Sequence, residues 1–395
     1  MQTVKLGTLG TFQSGGTPKK SEPRFFGGEI PWVSTTALDG APIGAEAAAT
    51  FLTDDALRHS AAKLVPAGSL LVGIRIGIGK TAVNRVPMAT SQDIVAITGI
   101  DTDRWSLPYL TLFLEASRPR LKSLARGATI QGIQTGDVKN LDVPDLPLSE
   151  QQRIVRELRQ VDALLANRRQ TDSLLAKLPK ARFVEMFGDL AFNPHSWKSI
   201  PIEDICTASD DIKCGPFGTQ LSQSEYVTSG VPVWGIPQVN ASFQLPTKDF
   251  ITREKAKKLR SYTLLPGDIV MSRKGNVGRC AVYPQNFPLG ILHSDVLRIR
   301  VNREICDPIF LMQQLHDSRV VQTQIRVISN GAIMAGLNVT KLKSLCVHLP
   351  PLSAQRQFAA FARACAAQRS ACARQIAPLE TLRRKLLQDA FGAAG

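Results

Sequence analysis

The first half of the chain has no cysteine: all seven (Cys206, Cys214, Cys280, Cys306, Cys346, Cys365 and Cys372) fall after residue 200, and no two form a Cys-x-x-Cys pair. An odd, one-sided set fits small buried residues in a reducing compartment better than a disulfide framework or a structural zinc site. The chain also lacks a run of about 18 apolar residues that would span a membrane. Its opening, "MQTVKLGTLG", has no apolar core of a secretory signal, so a cytoplasmic protein without membrane association is expected. Acidic residues are in deficit: 33 Asp and Glu stand against 48 Lys and Arg, a formal net charge of +15 over 395 residues. With an ordinary globular composition of 44% hydrophobic and 21% charged residues, that excess points to a polyanionic partner, and nucleic acid is the commonest one.

Catalytic motifs are missing as well. Gly77-Ile78-Gly79-Lys80-Thr81 ends like a phosphate-binding loop, but the position five before Gly79 is Ile74, and the nearest earlier glycine, Gly73, is one residue out of register. The closest string to the base-flipping loop of an amino methyltransferase is Asn193-Pro194-His195-Ser196-Trp197, with His where a second Pro belongs; a turn accounts for it. Asp210-Asp211 stands without the further acidic or lysine partner that a metal-dependent nuclease needs. Five scattered histidines suggest no triad. No catalytic residue and no metal ligand is therefore assigned.

What is present is written twice. "LVPAGSLLVGIRIGIGKTAV" (64–83) aligns with "LLPGDIVMSRKGNVGRCAVY" (264–283), matching Gly68 with Gly267, Arg75 with Lys274, Gly79 with Gly278 and Lys80 with Arg279. Trp32 pairs with Trp234 and Asp93 with Asp295. "GATIQGIQTGDVKNLDVPDLPLSEQQ" pairs with "GAIMAGLNVTKLKSLCVHLPPLSAQR", and Phe187-Gly188 with Phe391-Gly392. A period of about 200 residues is far longer than the 20–50 of a solenoid, so a whole domain with its tail has been duplicated. Within each copy, short β runs punctuated by Gly and Pro ("IPWVST", "SLLVGIRIG", "DIVAITGI"; "VPVWGI", "DIVMSR", "DVLRIRV") alternate with helical stretches at Leu107–Leu121 and Pro308–Ile325.

Each copy ends in a long amphipathic stretch. After Pro147, Ser149 with Gln152 three later has the pattern of a capping box, and Ile154, Leu158, Val161, Leu165 and Leu175 form an apolar stripe interrupted by Arg168 and Asp172. About thirty helical residues would span roughly 45 Å. The second copy repeats this after Pro351 and Ser353, with Phe358, Phe361, Ala362, Cys365, Cys372, Ile376, Leu379, Leu382 and Leu386 on one face; Pro378 is expected to kink the helix or start a new segment. Two equivalent helices are expected to pack on each other and hold the domains apart.

Two variable globular parts, each opening on a glycine-rich "SGGTP" or "KCGPFGTQL" and closing on "PLSEQQRI" or "PPLSAQRQF" before a long helix, resemble the specificity subunit of type I restriction-modification systems over essentially the whole chain. The resemblance implies an α+β, pseudo-twofold fold with two duplicated target-recognition domains, 1–145 and 190–346, separated by two long antiparallel spacer helices, 146–189 and 347–395. It implies a non-catalytic subunit that reads a bipartite double-stranded DNA target and docks two DNA methyltransferase subunits. S-adenosylmethionine, and ATP and Mg where a restriction or translocase subunit joins, would reside in those partners and not in this chain. The alternative is a protein-assembly scaffold that uses the same helices without reading DNA.

Candidate DNA-binding residues follow from chemistry. Gly15, Gly16 and Thr17, and Gly215, Gly218 and Thr219, offer backbone N–H groups and a hydroxyl to a phosphate, although tight turns need the same glycines. Lys19, Lys20 and Arg24 add charge beside the first loop. Arg75 and Lys80, with Arg273, Lys274, Asn276 and Arg279 in the second copy, flank a glycine-rich bend suited to phosphate or base contact. Thr35 and Thr36, with Gln238 and Asn240 at the matching site, are polar where the chain leaves the tryptophan-bearing strand; they can read bases or cap a turn.

Overall fold

The computed structural model describes residues 2–127, 131–188, 193–329 and 337–392. Two repeat-bearing stretches noted above, 128–130 and 330–336, lie outside them. The chain divides into two compact units, Met1–Arg169 with Arg374–Gly395, and Gln170–Ala373.

In the first unit, the run Ile94–Thr98 is apolar on both faces because both are covered. It is a central strand of an antiparallel sheet in the order Thr11–Ser14, Ile94–Thr98, Leu70–Gly73, Thr81–Val83. A second sheet runs Thr50–Leu52, Phe26–Val33, Met88–Thr90, Leu64–Val65, with Trp32 facing Ala89 in its one parallel pairing. Between the sheets lies an apolar layer that includes Val33, Leu38, Val65, Leu71, Ala82 and Ala96. The opposite side of the first sheet packs on the helix Leu107–Ala116 through Tyr109, Leu110 and Phe113, and on Ile154 and Leu158 of the first long helix.

The second unit repeats this plan. Its antiparallel sheet runs Ile212–Cys214, Val296–Ile299, Ile269–Ser272, Cys280–Val282. Its other sheet runs Tyr226–Val227, Phe250–Ile251, Val231–Trp234, Gly290–Leu292, Thr263–Leu264; the parallel pairing recurs, but with Trp234 opposite Leu292 where the first unit has Val33 opposite Thr90, so Trp234 matches Val33 and not Trp32. The edge strand Tyr226–Val227 has no counterpart among the described strands of the first unit. Each unit also has a two-stranded ribbon, Thr3–Lys5 with Asp142–Pro144 and Lys198–Pro201 with Cys346–Leu349. The fold is α+β, with the same topology twice.

Each tail is one unbroken helix of 40 residues, Leu148–Phe187 and Leu352–Phe391, about 60 Å long rather than 45 Å. In the first unit the two helices run antiparallel: Arg169 meets Glu380 (2.6 Å), Arg383 bridges Asp162 and Glu115 (2.9 Å to the latter), and Ala390 and Phe391 join the core with Ile154, Val155 and Leu158. In the second unit Arg369 meets Asp172 (2.9 Å), Arg182 lies over Phe361, and Phe183 and Phe187 pack on Phe310 and Phe358. Gly188 and Gly392, both at positive φ, close the helices through N–H bonds back to Val184 and Gln388.

Four expectations change. Pro378 does not start a new segment: it lies inside the helix Leu352–Phe391, and residues beyond it (Glu380, Arg383, Phe391) make side-chain contacts with the first long helix and its domain. Leu382 is exposed rather than on the buried stripe. The helix starts at Leu148, so Ser149 lies inside it and does not cap; the buried residue of the motif is Gln151. The stretches from Leu107 and Pro308 each break in two, at Ser117 and Ser318, giving Arg118–Ser123 and Arg319–Ser329 as second helices. No helix of the described residues is long and apolar enough to cross a membrane.

Candidate nucleic-acid interface

In each unit, loops from both sheets are stitched together at one edge. In the first, Gly15 N–H donates to the Ile94 carbonyl (3.0 Å), Gly16 N–H to Thr90 (2.9 Å), Ser91 N–H to Val33 (2.9 Å) and Ile74 N–H to Asp93 (2.8 Å). Trp32 Nε1 donates to the Gly16 carbonyl at 3.1 Å. In the second, Gly215 N–H donates to Val296 (3.1 Å), His293 N–H to Trp234 (3.0 Å) and Arg273 N–H to Asp295 (3.0 Å). The glycine bend is built alike: Gly73 N–H bonds Lys80 (2.8 Å) and Gly79 N–H bonds Gly73 (2.9 Å), as Ser272 bonds Arg279 (2.7 Å) and Gly278 bonds Ser272 (3.1 Å). Gly77 and Gly79, and Gly275 and Gly278, have φ between +65° and +85°, a conformation that favours glycine. Thr81 pairs within the sheet opposite Val72, so the resemblance to a phosphate-binding loop is a turn between strands.

These bonds correct three assignments. The N–H groups of Gly15, Gly16 and Gly215 are engaged in the sheets and are not available to a phosphate. A Cβ on them would lie 2.2 Å from the Ser91 carbonyl, 1.9 Å from Ala61 and 2.2 Å from His293, so glycine is needed there for close backbone approach. Thr35 is buried beside Gly73. Gln238 is buried too, its Oε1 accepting from Gly235 N–H (3.1 Å) and its Nε2 donating to Pro246 (3.1 Å), so it caps the turn after Trp234 instead of facing a ligand.

The remaining candidates are at the surface. Thr17, Thr36, Asn240, Gly218 and Thr219 are exposed; Thr17 Oγ1 accepts from Gln92 N–H (3.4 Å), and Gly218 adopts φ +64°. Lys19 and Lys20 are exposed and form no ion pair among the described residues. Arg24 is shared between Glu22 (3.3 Å) and Asp55 (3.5 Å), and no bond joins it to the stitched loops. Arg75 stands 3.8 Å from Asp93, and Lys274 2.7 Å from Asp295. Arg273 is half-buried, with its guanidinium 5.9 Å from the Phe217 ring and Nη1 on the Ser294 carbonyl. Lys80 lines a cleft of about 610 Å³ with Arg118, Arg159 and Arg383. Asn276 and Arg279 line one of about 660 Å³ with Lys177, Lys180 and His316.

Residues that the sequence reading passed over join these loops. Arg118 reaches back to the Ile78 carbonyl (3.2 Å), and Ile76 and Phe217 expose apolar tips, 59% and 58% accessible. The aromatic between two glycines of "KCGPFGTQL" was a visible hint for Phe217; Arg118 had none, being about 40 residues from the bend it touches. Buried Cys280 and half-buried His316 stand 3.3 Å apart, but the imidazole Nε2 accepts the Cys280 N–H (3.1 Å). Burial pushes the thiol up to about 12, the reverse of what a nucleophile needs.

The sequence profile of the Type I restriction modification DNA specificity domain matches residues 1–175 and 194–367. The chain is 21% identical over 372 residues to the Type I restriction enzyme MjaIX specificity subunit of Methanocaldococcus jannaschii, covering 90% of this chain and 84% of that protein. It is 27% identical over 200 residues to the EcoR124I/EcoR124II specificity subunit of Escherichia coli, 48% of this chain and 47% of that one. The crystal structure of a type I restriction-modification S subunit from M. genitalium superposes with a TM-score of 0.62 at 17% identity, covering 99% of this chain and 96% of that one, which shows the shared fold.

Proposed function

The chain belongs to the type I restriction-modification DNA specificity family, and from that premise we propose that it reads a bipartite double-stranded DNA target, one loop cluster per unit, as the non-catalytic subunit of a larger complex. The observation that carries this reading is the pairing of a constant frame with variable tips. Three backbone stitches recur in both loop clusters (Gly15 to Ile94 and Gly215 to Val296, Ser91 to Val33 and His293 to Trp234, Ile74 to Asp93 and Arg273 to Asp295), whereas the exposed or half-buried side chains on them differ: Arg75, Ile76 and Lys80 in one, Arg273, Lys274, Asn276, Arg279 and Phe217 in the other. A frame of this kind holds a few side chains against base edges and leaves phosphates to the exposed cations and hydroxyls around it. An Arg or Lys on guanine or an Asn on adenine discriminates by about 1–3 kcal/mol, and an apolar tip suits the thymine methyl.

Two DNA methyltransferase subunits would dock on this chain and supply S-adenosylmethionine; a restriction subunit with ATP and Mg would complete a cleaving complex. The test is selection from a random-sequence duplex library by the chain in complex with its methyltransferase, over a salt series. A split motif with a fixed unspecified gap is expected. Salt-sensitive binding without a motif, or no binding, would leave assembly without DNA reading as the function.

A further inference from the structure

In both units one carboxylate sits beneath the cationic bend. Asp93 and Asp295 occupy matching positions in the repeat, and each accepts at its own backbone carbonyl the N–H of the first bend residue, Ile74 or Arg273. That bond fixes the carboxylate under the next side chain, which is a cation in both copies: Arg75 at 3.8 Å and Lys274 at 2.7 Å. Neither carboxylate caps a helix, and both are more enclosed than their partners, with side-chain accessibilities of 22% and 29% against 49% and 58%. Among the described residues, His293 also stands against Asp295, its Nδ1 3.6 Å away and accepting the Asp295 N–H, and Tyr226 lies near enough to feel the carboxylate's charge. Solvated pairs of this kind add little to stability, so fold maintenance does not explain why the same arrangement occurs twice.

We propose that Asp93 and Asp295 are specificity-determining positioning residues. Each holds the adjacent cation in the bend, so that a matched base edge can engage it while a phosphate on arbitrary DNA must first displace the carboxylate. This rests on the DNA-reading function proposed above. A free Lys274 would swing onto the nearest phosphate of any sequence and raise binding through counterion release. A tethered one penalises unselected DNA and preserves the contrast between target and background. The shorter pair predicts the larger effect in the second unit.

The experiment compares the complex of the full chain and its methyltransferase, wild type against Asp295→Asn, Asp93→Asn, Lys274→Gln and Asp295→Asn/Lys274→Gln. Binding is measured to the selected duplex and to a random-sequence duplex over a salt series. For Asp295→Asn, random-duplex affinity is expected to rise about two- to fivefold. The slope of log K against log salt should steepen by about 0.9 for the one cation released. Affinity for the selected duplex should change less, so discrimination falls. Asp93→Asn should do the same more weakly. In the double variant the gain must vanish, because no cation is left to release. A gain that persists with Lys274→Gln is a general charge effect and overturns the proposal. Loss of selected-duplex affinity with random binding unchanged also overturns it, by making Asp295 a direct base acceptor. A wild-type complex that selects no motif refutes the DNA-reading function itself, whereas a wild type that selects one beside unchanged variants refutes only the tether.

Discussion

The two units share one frame but fill its central polar positions in opposite ways. Where the first has Ser69, Asn84, Ala96 and Thr98, the second has Asp268, Tyr283, Arg298 and Arg300, and the equivalence is structural. Gly68 bonds the Asn84 carbonyl as Gly267 bonds Tyr283, and Leu71 faces Ala96 as Val270 faces Arg298. In the first unit the site is closed by short neutral bonds, Asn84 Oδ1 to Ser69 N–H (2.8 Å) and Asn84 Nδ2 to Pro66 (2.8 Å). In the second, Asp268, only 2% accessible, holds Arg300 through two bonds of 2.7 and 2.8 Å, while buried Arg298 donates to the carbonyls of Ser261, Thr263 and Asp210. The topology therefore does not require any particular chemistry there. It requires that most of the polar atoms be satisfied, Arg298 Nε being left without a partner.

The largest expected effect breaks this contrast. Asp268→Ala leaves the Leu265 N–H without its acceptor and the Arg300 guanidinium with the Thr263 carbonyl alone. It should destabilise the second unit by about 2–3 kcal/mol, less than for a fully buried ion pair because the Arg300 side chain is 31% accessible. Ser69→Ala at the matching position should lower the first unit's stability by about 1 kcal/mol or less, because Pro66 keeps its bond from Asn84. Hydrogen exchange resolved to Ile269–Ser272 and Leu70–Gly73 separates the two. If Asp268→Ala leaves exchange in the second sheet unchanged, the ion pair is dispensable. Replacing both partners, with Arg300→Met added, should recover much of the loss.

Much of this architecture was legible because duplication turns one sequence into its own comparison. Gly68 with Gly267, Gly79 with Gly278 and Gly188 with Gly392 align in the repeat, and all six adopt positive φ. The order of strands within each sheet was not legible, since short apolar runs such as Ile94–Thr98 and Met88–Thr90 carry no label for their neighbours. For the candidate site, residue type indicated Arg75, Lys80, Lys274 and Arg279 at the bend. It could not show that the N–H groups of Gly15, Gly16 and Gly215 are engaged by strands about 80 residues away. Nor could it separate buried Gln238 from exposed Asn240, which depends on a turn closed by Pro246. The first long helix was underestimated because Pro179 weakens a helix locally, and the contacts that carry it on, Phe183 and Phe187 against Phe310 and Phe358, come from residues more than 120 positions later.

A middle-sized effect should be the same in both units and so marks what the frame holds constant. Gln151 and Gln355 are fully buried at the starts of the two long helices. Gln151 accepts from Ser106 N–H (2.9 Å) and donates to Arg104 and Leu146; Gln355 accepts from Asp307 N–H (2.9 Å) and donates to Ile305 and Pro350. Each amide thus ties its long helix to the start of the domain's own helix. Alanine at either site leaves a buried N–H and two carbonyls unsatisfied, and about 1–3 kcal/mol should be lost in that unit. Chemical denaturation of the two variants checks it; losses differing by more than about a factor of three would mean that the joints are not equivalent.

The smallest effect is a difference in acid sensitivity. His59 is the first unit's one histidine, whereas the second has four, including His316 and His348. Burial holds the His316 imidazole below its ordinary range, and the nearby Arg279 adds to this; burial lowers His348 likewise. A histidine whose folded value is depressed stays neutral in the native state while the unfolded chain takes up a proton as pH falls through about 6.5. Its contribution is therefore complete above that pH and declines as pH drops toward the folded value. Protonation of His316 would also set an N–H against the Cys280 N–H that now donates to it. Between pH 7.5 and 5.5, exchange protection corrected for intrinsic rate should fall in Cys280–Val282 and less in Thr81–Val83. His316→Gln, whose carbonyl oxygen can still accept the Cys280 N–H, should remove most of that difference. Equal acid loss in the two strands, or a difference that survives His316→Gln, would place the acid-sensitive group elsewhere.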